Sequence, residues 1–578
     1  MKVKALLLSL AILAMSVGFA QEPEVTTSYI IQGDSIDTVV DAVLTADGEV
    51  THELGIINGV AATLTASQHA KLVKNPGIRN ISFDAPVTTS GGVAGGSPGT
   101  YADFPALIGA AALHDEGFTG SSVTVAILDS GMAAIAELNK DTAGVTRRLK
   151  RYNSITDQEG THLDKFGHGT HIASIILNTD YADDGSMRRN SIAPDVRVTP
   201  VKAFDSKGDG TYANVIRGLD WIYSNKDQYN IRVLNLSFSA PARSHYWEDP
   251  INQAVMRLWQ AGIVVVASAG NSGPEAMTIG VPGNLPYVIT VGAMSDNYTP
   301  ADGSDDFLAS FSSTGPTVEG FVKPEVVAPG GHVVARTRIK SVIAKTHPEF
   351  HDRDKYFTMS GTSQAAAVVS GVAALILDAH PGLSNDDVKC RILSASRPAV
   401  DDDGELAYSI FQQGAGMIDA YAAVHSDAAG CANRGLDINL DVTNQRHFGG
   451  RANVTEDGHF YIMGLEGYLW TDGGIGANGY LWTDGGVGAN GYLWTDGGID
   501  MNGYLWTNGY LWTDGGVGTN GYLWTDGDGI VTNGYLWTDG DVGLNGFLWT
   551  DGGVGTNGYL WTDALTESAS VNFWVEQE

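Results

Sequence analysis

The stretch from residue 101 to residue 430 predicts an α/β fold built on a parallel sheet with helices on both faces. Two observations carry that expectation. Apolar runs of strand length alternate with amphipathic runs of helical spacing over the whole stretch, which is the pattern of strand–helix–strand units. The run VTVAILDSG (123–131) then sets an acid, Asp129, at the end of a strand pattern, followed by a Ser130-Gly131 turn. The carboxyl ends of parallel strands are where α/β folds gather functional groups, although an acid there also serves simply to cap a following helix. Core material is ample, because hydrophobic residues make up 43% of the 578.

Charge excludes one class of partner. Asp and Glu number 66 against 34 Lys and Arg, a formal net charge of −32. Phosphate binding needs clustered cations, so nucleic acid is not an expected partner. Excess acid favours solubility and leaves cation binding open.

Residues 1–20 read MKVKALLLSLAILAMSVGFA. Two lysines before a short apolar run, with small residues near its end, are the layout of a secretory signal. The run is short for a bilayer span, and no later segment has 18 unbroken apolar residues. A soluble, exported mature protein is expected. Two cysteines are too few for a disulfide scaffold or a cysteine-only zinc site. Outside the cytoplasm Cys390 and Cys431 either pair, which contributes about 4 kcal/mol in the chain-entropy picture, or remain free thiols.

Between the signal and the α/β stretch, residues 21–95 form a smaller unit. SYIIQG, INGVAATLT and IRNISF read as strands. SIDTVVDAVLTADG reads as a helix ended by glycine, and SQHAKLVKNPG as a helix capped by Ser67. TTSGGVAGGSPGT (88–100) reads as a flexible linker. After the α/β stretch, residues 431–466 read as a polar connector.

Residues 467–563 repeat GYLWTD, usually every 12 residues with one interval of 6 and one of 13. Tyr and Trp share one parity and Leu and Thr the other, so each unit is a short two-faced strand. The glycines that follow supply the turn. Such units must stack on neighbours to bury a face, as a solenoid or as an antiparallel meander. Nine Trp, Trp470 to Trp561, would line up, and the region carries 11 Asp and no Lys or Arg. Residues 564–578 form a short C-terminal segment.

Two further motifs carry chemistry. In FGHGTHIASIIL (166–177), His168 stands between two glycines at the start of an apolar helix, where the backbone can pack closely and leave the imidazole at the helix mouth. Metal ligation by His168 and His171 lacks the HExxH pattern or a Cys partner, and His171 reads as a buried structural histidine. In SGTSQAAAVVSGVAALIL (360–377), Ser363 opens a long small-residue helix. A serine there is commonly an N-cap, yet an oxygen nucleophile also gains from the unpaired N–H groups of the first turn.

Together the strings LDSG, GHGTHIAS and GTSQAAA, in the order Asp129, His168, Ser363, resemble the subtilisin-like serine peptidases. VVVASAGNSG (264–273), KPEVVAPGG (323–331) and GAGMIDAYAAV (414–424) extend the resemblance across residues 101–430. It implies a subtilisin-like sheet, an Asp129–His168–Ser363 triad, an oxyanion held by Asn271 and no cofactor for the chemistry. HELGIINGVAATL (52–64) resembles the family's ferredoxin-like α+β propeptide, an intramolecular inhibitor, which implies self-cleavage within about residues 85–105.

The resemblance also implies substrate contacts. Ser237, Phe238 and Ser239 form one edge for an extended peptide. Gly208 and Tyr212 belong to the opposing edge, with Tyr212 over a remote pocket. Ser268, Gly270 and Gly280 line the first pocket. With no acid among them, neutral or apolar substrate side chains are expected. Gln364-Ala365-Ala366-Ala367-Val368 replaces the common Met-Ala-Ser-Pro-His, and Ser239-Ala240 replaces a common Gly-Gly and narrows the cleft. The family's calcium loops do not align cleanly. The acidic loop with Asp180, Asp183 and Asp184 is either a Ca²⁺ site or a solvated face.

The leading expectation is a secreted endopeptidase made as a zymogen. The alternative is a catalytically silent scaffold with a surface- or glycan-binding tail. GGVGTN in the tail loosely resembles a calcium-binding GGxGxD repeat, but Asn replaces Asp and the period differs.

Overall fold

The computed structural model describes residues 25–89, 103–160, 163–182, 186–297, 306–400, 406–455 and 459–462, and short strands between Leu469 and Thr562. The signal-like segment and most of the Gly/Ser-rich stretch after Thr89 lie outside the described residues, as do Asp183 and Asp184. The chain divides into two compact units, one made of residues up to Glu53 together with Asn58–Phe83, the other of Leu54–Ile57 and everything from Asp84 onward.

The first unit runs strand Thr26–Gly33, helix Ile36–Thr45, strands Glu49–Leu54 and Gly59–Thr65, helix Ala66–Leu72, strand Ile78–Phe83. Thr26–Gly33 is central and pairs antiparallel with Gly59–Thr65 and Ile78–Phe83. Ile31, Val39, Val43, Val60, Leu64 and Leu72 fill the space between sheet and helices. The second helix is capped by Thr65 rather than Ser67. Thr65 Oγ1 accepts from Gln68 N, and Gln68 Oε1 accepts from Thr65 N, a reciprocal pair that satisfies two otherwise unpaired donors.

The second unit is organised on a nine-stranded sheet. From one edge the strands are Phe307–Leu308, Ile289–Ser295, Val264–Ser268, Ile231–Leu236, Thr124–Asp129, Arg197–Lys202, Tyr152–Asn153 and Gln158–Glu159, with Val326–Pro329 also paired to Ile289–Ser295. The central strands pair in parallel. They are buried along their length, as expected of a parallel sheet covered on both faces. Helices His168–Leu177 and Thr362–Ala379 pack on each other, and Tyr212–Tyr229 packs on Pro250–Gln260. Thr362–Ala379 is apolar and long enough to span a bilayer, but it is 89% buried as the core helix of this unit.

The connector expected over 431–466 is in fact part of this unit as far as Val454. Asp441 is buried and accepts from Tyr246 Oη and Tyr287 Oη at 2.7 and 2.9 Å. Trp247 lies stacked between His245 and His447. Its polar composition conceals a few anchoring contacts that only the fold brings together. Cys390 and Cys431 form a disulfide across 41 residues, fastening this segment to helix Asn385–Ala395.

Strands described in the repeat region pair in parallel with the strand one repeat on: Leu469–Thr471 with Leu481–Thr483, and Leu536–Thr538 with Leu548–Thr550.

Candidate active site

Four strands deliver the predicted residues at their carboxyl ends. Thr124–Asp129 ends on Asp129, and Ile231–Leu236 leads into Ser237. Val264–Ser268 leads into Gly270 and Asn271, and Val326–Pro329 leads into Gly330, which accepts from Gly361 N just ahead of Ser363. The two helices enter the same region N-terminus first.

Asp129 and His168 form a buried pair. His168 Nδ1 lies 2.8 and 2.9 Å from the two Asp129 oxygens, and both residues are fully inaccessible. Ser130 N donates to Asp129 Oδ1 at 2.6 Å. An ionised carboxylate only accepts, so Nδ1 is the donor and Nε2 is left with its lone pair. His168 Nε2 has no hydrogen-bond partner among the described residues. Gly169 makes the approach possible, since a Cβ there would collide with Gly131 O and lie 2.9 Å from Asp129 Oδ1.

Ser363 is the second residue of its helix, which is capped by Gly361. It therefore does no capping, and the N-cap reading of this serine falls away. Its hydroxyl donates to Ser237 O at 3.1 Å, and Ser237 Oγ donates to Ser363 O at 2.9 Å. Asn235 Nδ2 donates to Ser237 Oγ, and Ser370 Oγ donates to Asn235 Oδ1, so a buried chain of hydrogen bonds fixes the strand end to the helix.

Asn271 is held by its oxygen. Oδ1 accepts from Thr362 N at 3.0 Å and Thr362 Oγ1 at 2.9 Å. Its Nδ2 is buried and has no partner among the described residues. A buried donor left unpaired costs about 1–3 kcal/mol, and a donor fixed beside the nucleophile is what a developing oxyanion requires.

The cleft edges are occupied by the chain itself. Thr88 and Thr89, expected to open a flexible linker, instead end the strand Pro86–Thr89. It pairs antiparallel with Asp209–Thr211 on one side and Phe238–Ser239 on the other. Thr89 N donates to Gly208 O at 3.4 Å, and Ala213 N donates to Asp84 Oδ1. Both predicted edges therefore hold one extended segment between them. Phe238 contributes backbone only, its ring packing on Phe204. Tyr212 departs from expectation: its ring is buried and its hydroxyl donates to Asp249 at 2.8 Å, so it braces the helix instead of standing over an open pocket. Ser268 Oγ donates to Phe238 O, and Gly280 N donates to Ala269 O, which places Ser268, Gly270 and Gly280 around one small space.

Of the acidic loop's aspartates only Asp180 lies among the described residues. Asp180 Oδ2 is bound by Arg336 Nε at 2.5 Å and by Tyr356 Oη at 2.8 Å. Among the described residues no group of His, Cys, Asp and Glu fits a metal ion. His171 is structural, with Nε2 3.0 Å from Phe357 O, and burial pushes its pKa down to about 3.

One residue escaped the sequence reading. Asp164, buried, accepts from Gly167 N, Thr170 N, Thr170 Oγ1 and Ser130 Oγ, while Ser130 Oγ accepts from Gly169 N. It pins the His168 helix to the Asp129 turn.

A carboxylate-held imidazole, a serine at a helix N-terminus and a pinned amide at the open end of a parallel sheet define a class, the α/β serine hydrolases. Residues 120–416 match the family model described as the subtilase family. The chain is 37% identical over 311 residues to serine protease AprX of Bacillus subtilis, covering 53% of this chain and 67% of that one. It is 33% identical over 319 residues to subtilisin DY of Bacillus licheniformis, covering 55% and 96%. Fervidolysin from Fervidobacterium pennivorans, a keratinolytic enzyme related to subtilisin, superposes with a TM-score of 0.55 at 21% identity, covering 70% of this chain and 62% of that one, a likeness of fold. The chain belongs to the subtilase family of serine peptidases.

Proposed function

We propose that this chain is a secreted serine endopeptidase, synthesised as a zymogen, that hydrolyses peptide bonds in extended segments of proteins. The observation that carries this reading is the strand Pro86–Thr89, held by main-chain pairing on both sides. Such pairing binds a backbone regardless of its sequence, so the groove accepts a polypeptide in the conformation a protease needs.

In this reading the Ser363 hydroxyl turns from Ser237 O towards His168 Nε2, gives up its proton there and attacks the carbonyl carbon. The proton then passes from His168 to the leaving amine. Asp129 keeps Nδ1 protonated and stabilises the imidazolium. Asn271 Nδ2 donates to the tetrahedral oxyanion. Water repeats the sequence in reverse to release the acyl group. Secretion is supported by the pattern of residues 1–20 and by the disulfide, a bond that persists in oxidising compartments. For the repeats, the register setting Trp537 against Trp549 and Trp549 against Trp561 supports a stacked solenoid over a meander.

The test is to express the full chain and its Ser363→Ala form and to determine the mass and N-terminus of each. The wild type is expected to be shortened within residues 85–105 and to digest a denatured protein, with the variant uncut and inert. Equal inability of both to digest the protein would leave a silent scaffold.

A further inference from the structure

Beside Ser363 three segments are laced together. Ala240 N donates to Val281 O at 3.0 Å, and Val281 N to Ala240 O at 2.8 Å. Gly280 N donates to Ala269 O, and Ser268 Oγ to Phe238 O. Gly270 and Gly280 add no side chains to the space these segments enclose. Ser239 fills it instead. A Cβ built on Gly270 would lie 3.0 Å from Ser239 Oγ, and one built on Gly280 would collide with that oxygen and lie 3.3 Å from Ser239 Cβ. The hydroxymethyl group therefore reaches across the space that two glycines vacate.

The register of the occupying strand says whose side chain meets this obstruction. Thr88 stands opposite Ser239 and Thr89 opposite Phe238. A substrate in the same register brings its next residue opposite Ser237, whose carbonyl oxygen is 3.1 Å from Ser363 Oγ. In the proposed reaction that next residue carries the carbonyl to be attacked, and, standing opposite Ser237, its side chain shares the face from which Ser239 projects.

We propose that Ser239 restricts this site to substrates with a small uncharged side chain (Gly, Ala or Ser) immediately before the scissile bond, and excludes aromatic and long aliphatic ones. This rests on the peptidase reading above. Overpacking a formed pocket by even one or two heavy atoms costs enough to separate substrates by roughly 10- to 100-fold. The walls are tied to one another through main-chain bonds, so the pocket does not widen by moving one loop.

The experiment uses the full chain after processing and a series of fluorogenic peptides identical except for Gly, Ala, Ser, Leu or Phe before the cleaved bond. The wild type is expected to give a kcat/KM at least about tenfold higher for Ala than for Phe or Leu. Ser239→Gly should lower that Ala-to-Phe ratio at least about tenfold, and Ser239→Ala should fall between. The graded pair guards against one variant folding poorly, and equal melting temperatures check this. A wild type that cuts the Phe or Leu peptide as well as the Ala peptide overturns the proposal while leaving the peptidase reading intact, as does an unchanged ratio in both variants. A wild type as inert as Ser363→Ala on every peptide and on denatured protein overturns the peptidase reading and this inference with it.

Discussion

The two helices that enter the site N-terminus first are fastened by different side chains. At His168–Leu177 the donors are consumed by side chains: Gly167 N and Thr170 N go to Asp164, and Gly169 N goes to Ser130. At Thr362–Ala379, Thr362 N goes to Asn271 Oδ1, and the same amide leaves its Nδ2 buried and unpaired. The first start is a positioning device, because the side chains that receive its donors fasten the helix to the Asp129 turn. The second sets beside it a side-chain donor, Asn271 Nδ2, which in the proposed mechanism finds its acceptor only during reaction. Perturbing the first should therefore cost stability more than rate, and perturbing the second rate more than stability.

The largest effect should come from the imidazole that the proposed mechanism uses as its base. His168→Ala is expected to lower kcat by at least about 10⁴-fold, read on a denatured protein substrate, with far-UV circular dichroism unchanged. Asn271→Ala comes next, with kcat down about 10²–10³-fold and KM little altered. Its Thr362 N–H loses an acceptor, so the loss of stability should stay within about 1–3 kcal/mol. An equal fall in kcat and melting temperature with no excess in rate would erase the distinction between the two helix starts.

A third test uses His171, on the first helix. Burial lowers its pKa to about 3, against about 6.5 in the unfolded chain. The unfolded state therefore binds the proton more readily between those values, and stability falls as pH drops below 6.5 towards 3. Lowering pH from 6.5 to 5 should cost on the order of 2 kcal/mol through this residue. Urea melts at several pH values should show that slope, and His171→Asn should flatten it. The smallest expected effect is that of Asp164→Asn. It keeps an acceptor but removes the charge that four donors share, so a loss of roughly 1–2 kcal/mol is expected, with a smaller drop in kcat than for Asn271→Ala.

Much of this site was legible because its residues sit inside local patterns. Asp129 ends a strand run, His168 lies between glycines, and Ser363 opens a helix of small residues. The strand Glu49–Leu54 was missed because its alternate residues face solvent, leaving Glu49, Thr51 and Glu53 where apolar residues would have announced it. Asp164 was missed because a capping acid looks like any other loop acid until its donors are known. Thr88 and Thr89 read as linker because the strand Pro86–Thr89 owes its structure to two edges more than a hundred residues away. The segment around Asp441 read as connector because its anchors, Tyr246 and Tyr287, lie far upstream.

By itself the sequence determined the order of the candidate side chains and the helix or strand end on which each stands, since capping, periodicity and glycine placement act over a few residues. The tertiary structure alone decided that Asn271 keeps its amide nitrogen buried and unpaired, that Asp180 is bound by Arg336, and that Ser239 lies between Gly270 and Gly280. Each of those outcomes depends on which atoms arrive from distant parts of the chain to satisfy a hydrogen bond or fill a volume, and no local pattern encodes that.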